Sequence, residues 1–365
     1  MANEEYDIEE AFRVIEDELL ESLKRRLEKG IPADITQEDY EAWQAVQLQA
    51  LQKYRYADSE HFKKKFTQLN SKVEALLKMT ANTARLTTVT AILNNITGAK
   101  PKHQIDSELM VINRRKLDAL INATTSDLEK AEWATLRMVD DQYRKIIYNS
   151  QVYLNTGSGS LRQAIDMAAH DFISSGINSI QYKNGARVNI ASYSEMALRT
   201  ANKRAALQGA AYARDEYGLN LVIINYRGTF CSKCSKFVGR VCIDNVYGGG
   251  QPDGKHPLLS EFIDGGLYHP NCKDSHSTYY EGITQKPKRP TPEELKRAEE
   301  VYQLEQRQRY NERQIRKYKR LEQDQLDPNN ITKAAQKRKE WQKIQREFVN
   351  AHPELRRKYD REKIY

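Results

Sequence analysis

Cys231-Ser-Lys-Cys234 and His269-Pro-Asn-Cys272 bracket the stretch whose reading decides the fold. Together they spell Cys-x2-Cys, a 34-residue insert, and His-x2-Cys. Two ligands three positions apart on a tight turn point their side chains at one ion. Two such knuckles facing each other complete the closed tetrahedron that structural Zn2+ prefers. Cys231, Cys234, His269 and Cys272 are therefore the candidate metal ligands, with Zn2+ as the implied structural cofactor. His276, four residues past Cys272, is the alternative to His269, and His256 in the insert is a further candidate imidazole. Four thiols scattered through a reduced core would account less well for two paired spacings. Cys242 falls outside both pairs and reads as a small buried residue.

The flanks of this stretch suggest a small α+β unit. Leu219 to Tyr226 contains Leu-Val-Ile-Ile, a buried-strand pattern leading into Cys231. Gly228, and Gly239 with Arg240-Val241, suit a turn between two short strands. Tyr247-Gly-Gly-Gly-Gln-Pro-Asp-Gly254 in the insert reads as a flexible loop. Upstream, Asn184-Gly185 between short β-forming runs predicts a hairpin with a type I′ turn over 180–190, followed by an Ala/Arg-rich helix over 192–217. Asn155-Thr-Gly-Ser-Gly-Ser160 lacks the lysine and the strand of a phosphate loop, and reads as a helix start capped by Ser158 or Ser160. His170, on the helix from Leu161 to Ser174, reads as a packed or surface residue.

Both ends of the chain are helical in pattern. Ile8, Phe12, Ile15, Leu19, Leu23 and Leu27 recur at three and four residues, one apolar stripe on a helix over 7–29 that Gly30 and Pro32 end. Thr36-Gln-Glu-Asp39 resembles a capping box before a helix carrying Tyr40, Trp43, Val46 and Leu51 and ending at about Ala57. Further helices are expected over 60–97, 105–122 and 125–153, with Trp133 in the core. Thr291-Pro-Glu-Glu294 is a second capping box with Pro292 at the first helical position. It opens a helix to about 325, where Asp327-Pro-Asn-Asn interrupts, and another follows over 332–350. The fold class is thus mainly α with a small α+β zinc-knuckle module. Its parts are a helical domain over 1–150, the module over 151–285 and a basic helical tail over 286–365.

Composition agrees with long solvated helices: 39% of the 365 residues are hydrophobic and 30% are charged. No apolar run approaches a membrane span of about 18 residues. The N-terminal Met-Ala-Asn-Glu-Glu-Tyr-Asp is acidic, so no secretory signal is expected, and cysteines without one imply reduced thiols. The net charge of +8 is uneven, because residues 286–365 hold 23 Lys and Arg against 14 Asp and Glu, a balance of +9. A near-neutral body with a basic tail points to nucleic acid or an acidic protein surface rather than a membrane. Arg307, Arg309, Arg313, Arg316, Lys317, Lys319 and Arg320 are the candidate contacts. With few apolar positions, neither tail helix is expected to be stable alone.

Three segments carry a resemblance. They are Tyr182-Lys-Asn-Gly185 through Tyr193 with the following helix and strand, then Cys231 to Val241 closing on His269-Pro-Asn-Cys272 and Tyr280-Glu-Gly282, and Tyr302 to Arg320. Together they resemble the phage minor capsid protein 2 family, related to the Mu F-like head-morphogenesis proteins. The resemblance implies a non-enzymatic structural protein of a tailed-phage head, incorporated during assembly in the host cytoplasm. It implies a place inside the shell or at the portal vertex, in several copies around the portal. The partners implied are the portal protein, the major capsid protein, or both, with packaged DNA as a further contact. Family members often carry Asn-Cys-Arg-His at the second knuckle, where this chain has Asn271-Cys272-Lys273-Asp274. Metal binding therefore rests on the spacing of this chain alone.

Two other classes fit some of the same residues. A zinc-ribbon nucleic-acid-binding regulator would use Lys233, Lys236, Arg240, Lys255 and Lys273 around the module. A cysteine-dependent enzyme would use Cys231 or Cys234 as nucleophile, His269 as base and Asp274 as orienter. A metal would consume the same thiolate and imidazole.

Overall fold

The computed structural model describes residues 2–31, 37–105, 107–155, 160–225, 234–269, 272, 274–287 and 290–365. The described residues are mainly helical, with five short strands. In chain order the elements are α1 (Ala2–Glu28), α2 (Gln37–Asn95), α3 (Glu108–Asn155), α4 (Leu161–Ser175), β1 (Ile180–Gln181), β2 (Arg187–Val188), α5 (Ile190–Glu216), β3 (Leu221–Asn225), β4 (Val241–Ile243), α6 (Leu259–Asp264), β5 (Ser275–Thr278), α7 (Pro292–Asp324) and α8 (Pro328–Ala351). Among the described residues, no helix is long and apolar enough to cross a membrane. The chain packs into two compact units, one built from 1–5, 70–127 and 196–302, the other from 6–69, 128–195 and 303–365.

Local signals placed most element boundaries. The six stripe residues of α1 are all buried. Ser160 caps α4, its hydroxyl accepting from the Gln163 N–H at 3.1 Å. At the start of α7 the capping box closes both ways. Thr291 Oγ1 accepts from the Glu294 N–H at 3.2 Å, and Glu294 Oε2 accepts from the Thr291 N–H at 2.8 Å. Asp327 both ends the interruption and caps α8, accepting from the Asn329 and Asn330 N–H groups. The box at Thr36 lies outside the described residues, as do Ser158 and Gly228.

Four expectations are corrected. The breaks near 58 and 123 do not occur: α2 and α3 run through them. Neither place has Gly or Pro, and Thr124 and Thr125 return their hydroxyls to the carbonyls of Leu120 and Ile121, so they sit inside a helix without lost bonds. Trp133 is not core but 57% exposed, with the Lys63 ammonium 4.4 Å from its ring centre. The hairpin β1–β2 forms, yet only Gly185 of the Asn-Gly pair has positive φ, at 83°. The Gly185 N–H bonds back to the Tyr182 carbonyl, giving a type I turn closed by a left-handed glycine rather than type I′. The glycine-rich insert is not a free loop. Lys116 Nζ donates to the carbonyls of Val246, Tyr247 and Gly248 at 3.1–3.3 Å, and Asp215 accepts from the Gly249 N–H at 3.0 Å. A Cβ on Gly249 would meet Leu109 at 2.5 Å, so that glycine serves close packing and not mobility.

In the unit holding 303–365, polar pairs replace apolar contacts on the inner face of α7. Only Ile315 and Leu321 are buried apolar residues there, beside Gln308, Asn311, Glu312, Arg320 and Asp324. Arg320 pairs with Glu16 at 3.4 Å and Asp17 at 3.3 Å, two acids on α1. Asp17 also accepts from the Tyr365 N–H at 2.8 Å. Asp166 on α4 accepts from the N–H groups of Leu326 and Asp327 and from the Asn330 amide. The C-terminal segment is thereby built into a helical unit.

Asp324 has no such compensation at Oδ1, which is buried without a hydrogen-bond partner among the described residues. Burial pushes its carboxyl up to about 7, against the pull of Lys24 and with help from Asp17. The folded pKa lies above the unfolded value of about 3.9, so the wild type loses stability as pH rises from about 4 through 7. Asp324→Asn should therefore be more stable than the wild type at pH 8, by roughly 1–4 kcal/mol, with the gain shrinking steadily toward pH 5. Urea unfolding across that range checks the sign. A gain independent of pH would contradict it.

Candidate metal centre

The unit containing the knuckles is organised on a three-stranded antiparallel sheet in the order β4-β3-β5. Val222 pairs with Cys242 and Ile224 with His276 across β3. Val222, Ile224, Cys242, Phe237, Leu259, Phe262 and Leu267 form its apolar core, with Cys234 inside and Cys272 packed against it. Cys242 is fully buried and its thiol is pushed up to about 12 by that burial, the small-core role its spacing suggested.

Cys234 leads into a 3-10 turn, whose Phe237 N–H bonds to the Cys234 carbonyl at 2.9 Å. The second knuckle closes alike, the Cys272 N–H donating to the His269 carbonyl at 2.9 Å. These turns bring a ring nitrogen of His269 and the sulfurs of Cys234 and Cys272 within 4.8 Å of one another. The two sulfurs stand 3.4 Å apart. A tetrahedral zinc with Zn–S bonds of about 2.3 Å holds two sulfurs roughly 3.8 Å apart, so a spread of a few tenths of an ångström fits the ion. Cys231, the fourth candidate, lies outside the described residues, as do Lys233 and Lys273. The Cys272 thiol is drawn down to about 6, first by its hydrogen bond with Cys234, against burial, and further by the Lys203 ammonium.

His269, not His276, joins the cysteines. His276 is buried on β5 in a separate polar chain: its Nδ1 shares a 2.7 Å hydrogen bond with the Tyr268 hydroxyl, and its Nε2 lies 3.4 Å from the Arg214 guanidinium and 3.6 Å from Asp244. Burial, helped by the Arg214 and Lys203 charges, pulls this imidazole below its ordinary value, against the opposing effect of Asp244. Asp244 pairs directly with Arg214 and accepts from the Tyr247 N–H at 2.9 Å. Burial alone would raise its carboxyl, but His276 and Arg214 hold it well below the usual range. Tyr268 adopts φ 59°, the one positive φ at a non-glycine among the described residues. Lys203 caps its ring at 4.0 Å and donates to the Cys272 carbonyl at 3.3 Å. His256 stays on the insert, bonded to Asp253.

Sequence reasoning missed the contribution of α5. Arg199, Lys203 and Arg204 share one face of that helix and line a small cavity with Tyr247, Tyr268 and Cys272. The Ala/Arg-rich composition was visible, but not which side of the helix faces the knuckles. Among the tail candidates, Arg307 and Arg313 are exposed and both lie over the Tyr310 ring. Arg309, Lys317 and Lys319 are half-buried. Arg320 is taken up by Glu16 and Asp17, and Arg316 donates to the Arg361 carbonyl.

The chain matches the model of the family described as phage minor capsid protein 2 over residues 3–350. A structural protein of Lactococcus phage LL-H is 24% identical over 258 residues, which cover 69% of this chain and 68% of that relative. No solved structure matches the chain.

The buried polar chain behind the knuckles sets a stability test. Arg214→Met leaves Asp244 buried without its partner and should cost about 3–5 kcal/mol in urea unfolding at pH 7. Adding Asp244→Leu to that variant should recover part of the loss. A double variant as unstable as the sum of the two single ones would mean the pair is not coupled.

Proposed function

The chain belongs to the phage minor capsid protein 2 family, and from that membership we propose a structural component of a tailed-phage head that is stapled by zinc. The family match along nearly the whole chain carries this reading. The helical portion over residues 1–150 docks on the portal protein or the major capsid protein, inside the shell or at the portal vertex. Several copies surround the portal. The module over 151–285 is a rigid zinc-held element, and the basic residues of 286–365 lie toward packaged DNA.

Cys234, His269 and Cys272 supply three donors of soft and borderline character, and Cys231 supplies the fourth by its spacing. Bound there, zinc would cross-link the two turns whose Cys234 and Cys272 sulfurs stand 3.4 Å apart. Its role is to close the fold, because a four-ligand site leaves no open position for a substrate. Native protein should contain about one zinc per chain by elemental mass spectrometry. Cys231→Ser with Cys234→Ser should lose both the metal and thermal stability. Metal-free wild-type protein would overturn the staple and leave the head role standing.

The DNA contact rests on Arg307, Arg313 and the +9 balance of residues 286–365. The full-length protein should bind duplex DNA without sequence preference, and the binding should fall steeply with added salt. Arg307→Gln with Arg313→Gln should weaken binding and flatten the salt slope. Absence of binding at low salt would remove DNA from the partners.

A further inference from the structure

Cys234 and Cys272 lie 38 positions apart in the chain, yet their sulfurs stand 3.4 Å apart. Both are free thiols. A shared tetrahedral zinc would hold the sulfurs roughly 3.8 Å apart, and a direct S–S bond about 2.0 Å. The resting separation lies between the two, so the same side chains are placed for either closure. Hydrogen bonds hold the backbone at both residues without help from the sulfurs. The Cys234 carbonyl accepts from the Phe237 N–H, and the Cys272 N–H donates to the His269 carbonyl. Lys203 Nζ donates to the Cys272 carbonyl at 3.3 Å.

The two thiols differ in access. Cys234 is fully buried in the apolar core of the sheet. Cys272 is half-buried and lines a cavity of about 30 Å³ with Lys203, Tyr247, Tyr268 and His269. That volume holds a molecule about the size of water, which suits hydrogen peroxide better than a bulky oxidant. A reachable cysteine with a second thiol in contact behind it is the arrangement in which an oxidised sulfur is resolved to a disulfide. At Cys272 an S–O bond forms, the peroxide O–O bond breaks and one water leaves. The Cys234 sulfur then attacks the Cys272 sulfur: an S–S bond forms, the S–O bond breaks and a second water leaves. Two thiols are oxidised and one peroxide is reduced. Cys242 is fully buried on β4 and lies outside the group of donors, so it has no part in this chemistry.

We propose that Cys234 and Cys272 are a peroxide-sensitive pair, whose disulfide replaces the metal as the cross-link between the two turns. The closures exclude each other, because a sulfur in a disulfide is no longer a thiolate donor and the ion leaves. The disulfide itself needs only the juxtaposed sulfurs, whereas the release of zinc rests on the zinc reading above. In a head component the exchange would keep the turns tied after the particle leaves the reducing cytoplasm.

The test treats full-length protein with hydrogen peroxide, before and after a chelator strips it of metal, and maps linkages by non-reducing mass spectrometry. Cleavage after Lys233 puts Cys231 and Cys234 on different peptides, so the two possible partners of Cys234 are told apart. The expected product is a Cys234–Cys272 linkage, with the chain lighter by two hydrogens and Cys242 still open to alkylation after denaturation. Cys231→Ser should form the same linkage; if that variant does not fold, the wild-type map decides alone. A Cys231–Cys234 linkage in its place would overturn the pair, and so would Cys234 and Cys272 thiols that survive peroxide in the stripped protein. Elemental mass spectrometry of the same samples separates this proposal from the zinc staple. Zinc should fall in step with the linkage. Protein that carries no zinc and still forms the linkage overturns the staple and leaves the pair. Zinc-loaded protein whose stripped form keeps both thiols overturns the pair and leaves the staple.

Discussion

The Arg214–Asp244 ion pair, each side chain 1% exposed, is the interaction on which the sheet-bearing unit depends. A buried pair is worth little net stability by itself, because desolvation offsets the attraction. Its value here is positional. Arg214 fixes the end of α5, and Asp244 follows β4 directly, so the pair ties helix to sheet. Asp244 also orders the start of the glycine-rich insert through the Val246 and Tyr247 N–H groups. On the other side His276 and Tyr268 extend the chain of contacts to the residue beside His269. The turn carrying His269 and Cys272 is thus supported from behind by this buried polar chain. Such outer support keeps ligand side chains in one orientation.

The other unit reaches order by a different route. The inner face of α7 has too few apolar residues to pack α1 by burial of hydrocarbon alone. Acids on α1 and α4 instead receive the Arg320 guanidinium from α7, the Asn330 amide from α8, and the backbone N–H groups of Leu326 and Asp327 between the two helices and of Tyr365. The arrangement divides the basic residues of the C-terminal segment into two populations. Arg316 and Arg320 are consumed in holding the unit together, whereas Arg307 and Arg313 keep their charge toward solvent. Net charge counted along the sequence overstates what is available to a partner.

The chain is a phage structural protein by family, and its architecture suits such work. A sheet with strands of three to five residues offers a small core, and small cores often need a staple. The Cys234 sulfur lies within that core and the Cys272 sulfur against it, where a metal would add rigidity without enlarging it. Long helices carry exposed surfaces, which an assembly component requires.

The sequence by itself determined the helical character of the chain, both ends of α7, the start of α4 at a serine cap and the turn spacing that brings His269 and Cys272 together. Each of these is local: an apolar stripe, a capping residue or a three-residue separation acts within one or two helical turns. It also singled out Cys242 as the cysteine without a partner knuckle. Tertiary structure alone decided which groups of distant origin meet. The pinning of the glycine-rich insert by Lys116 and Asp215, the burial of Arg320 against α1 and the α5 cations beside Cys272 involve residues tens to hundreds of positions apart. Trp133 shows the same limit, since helical spacing gives a face but not what covers it. The physical reason is that helix periodicity specifies a direction within one element, while burial and charge pairing depend on which other element packs there.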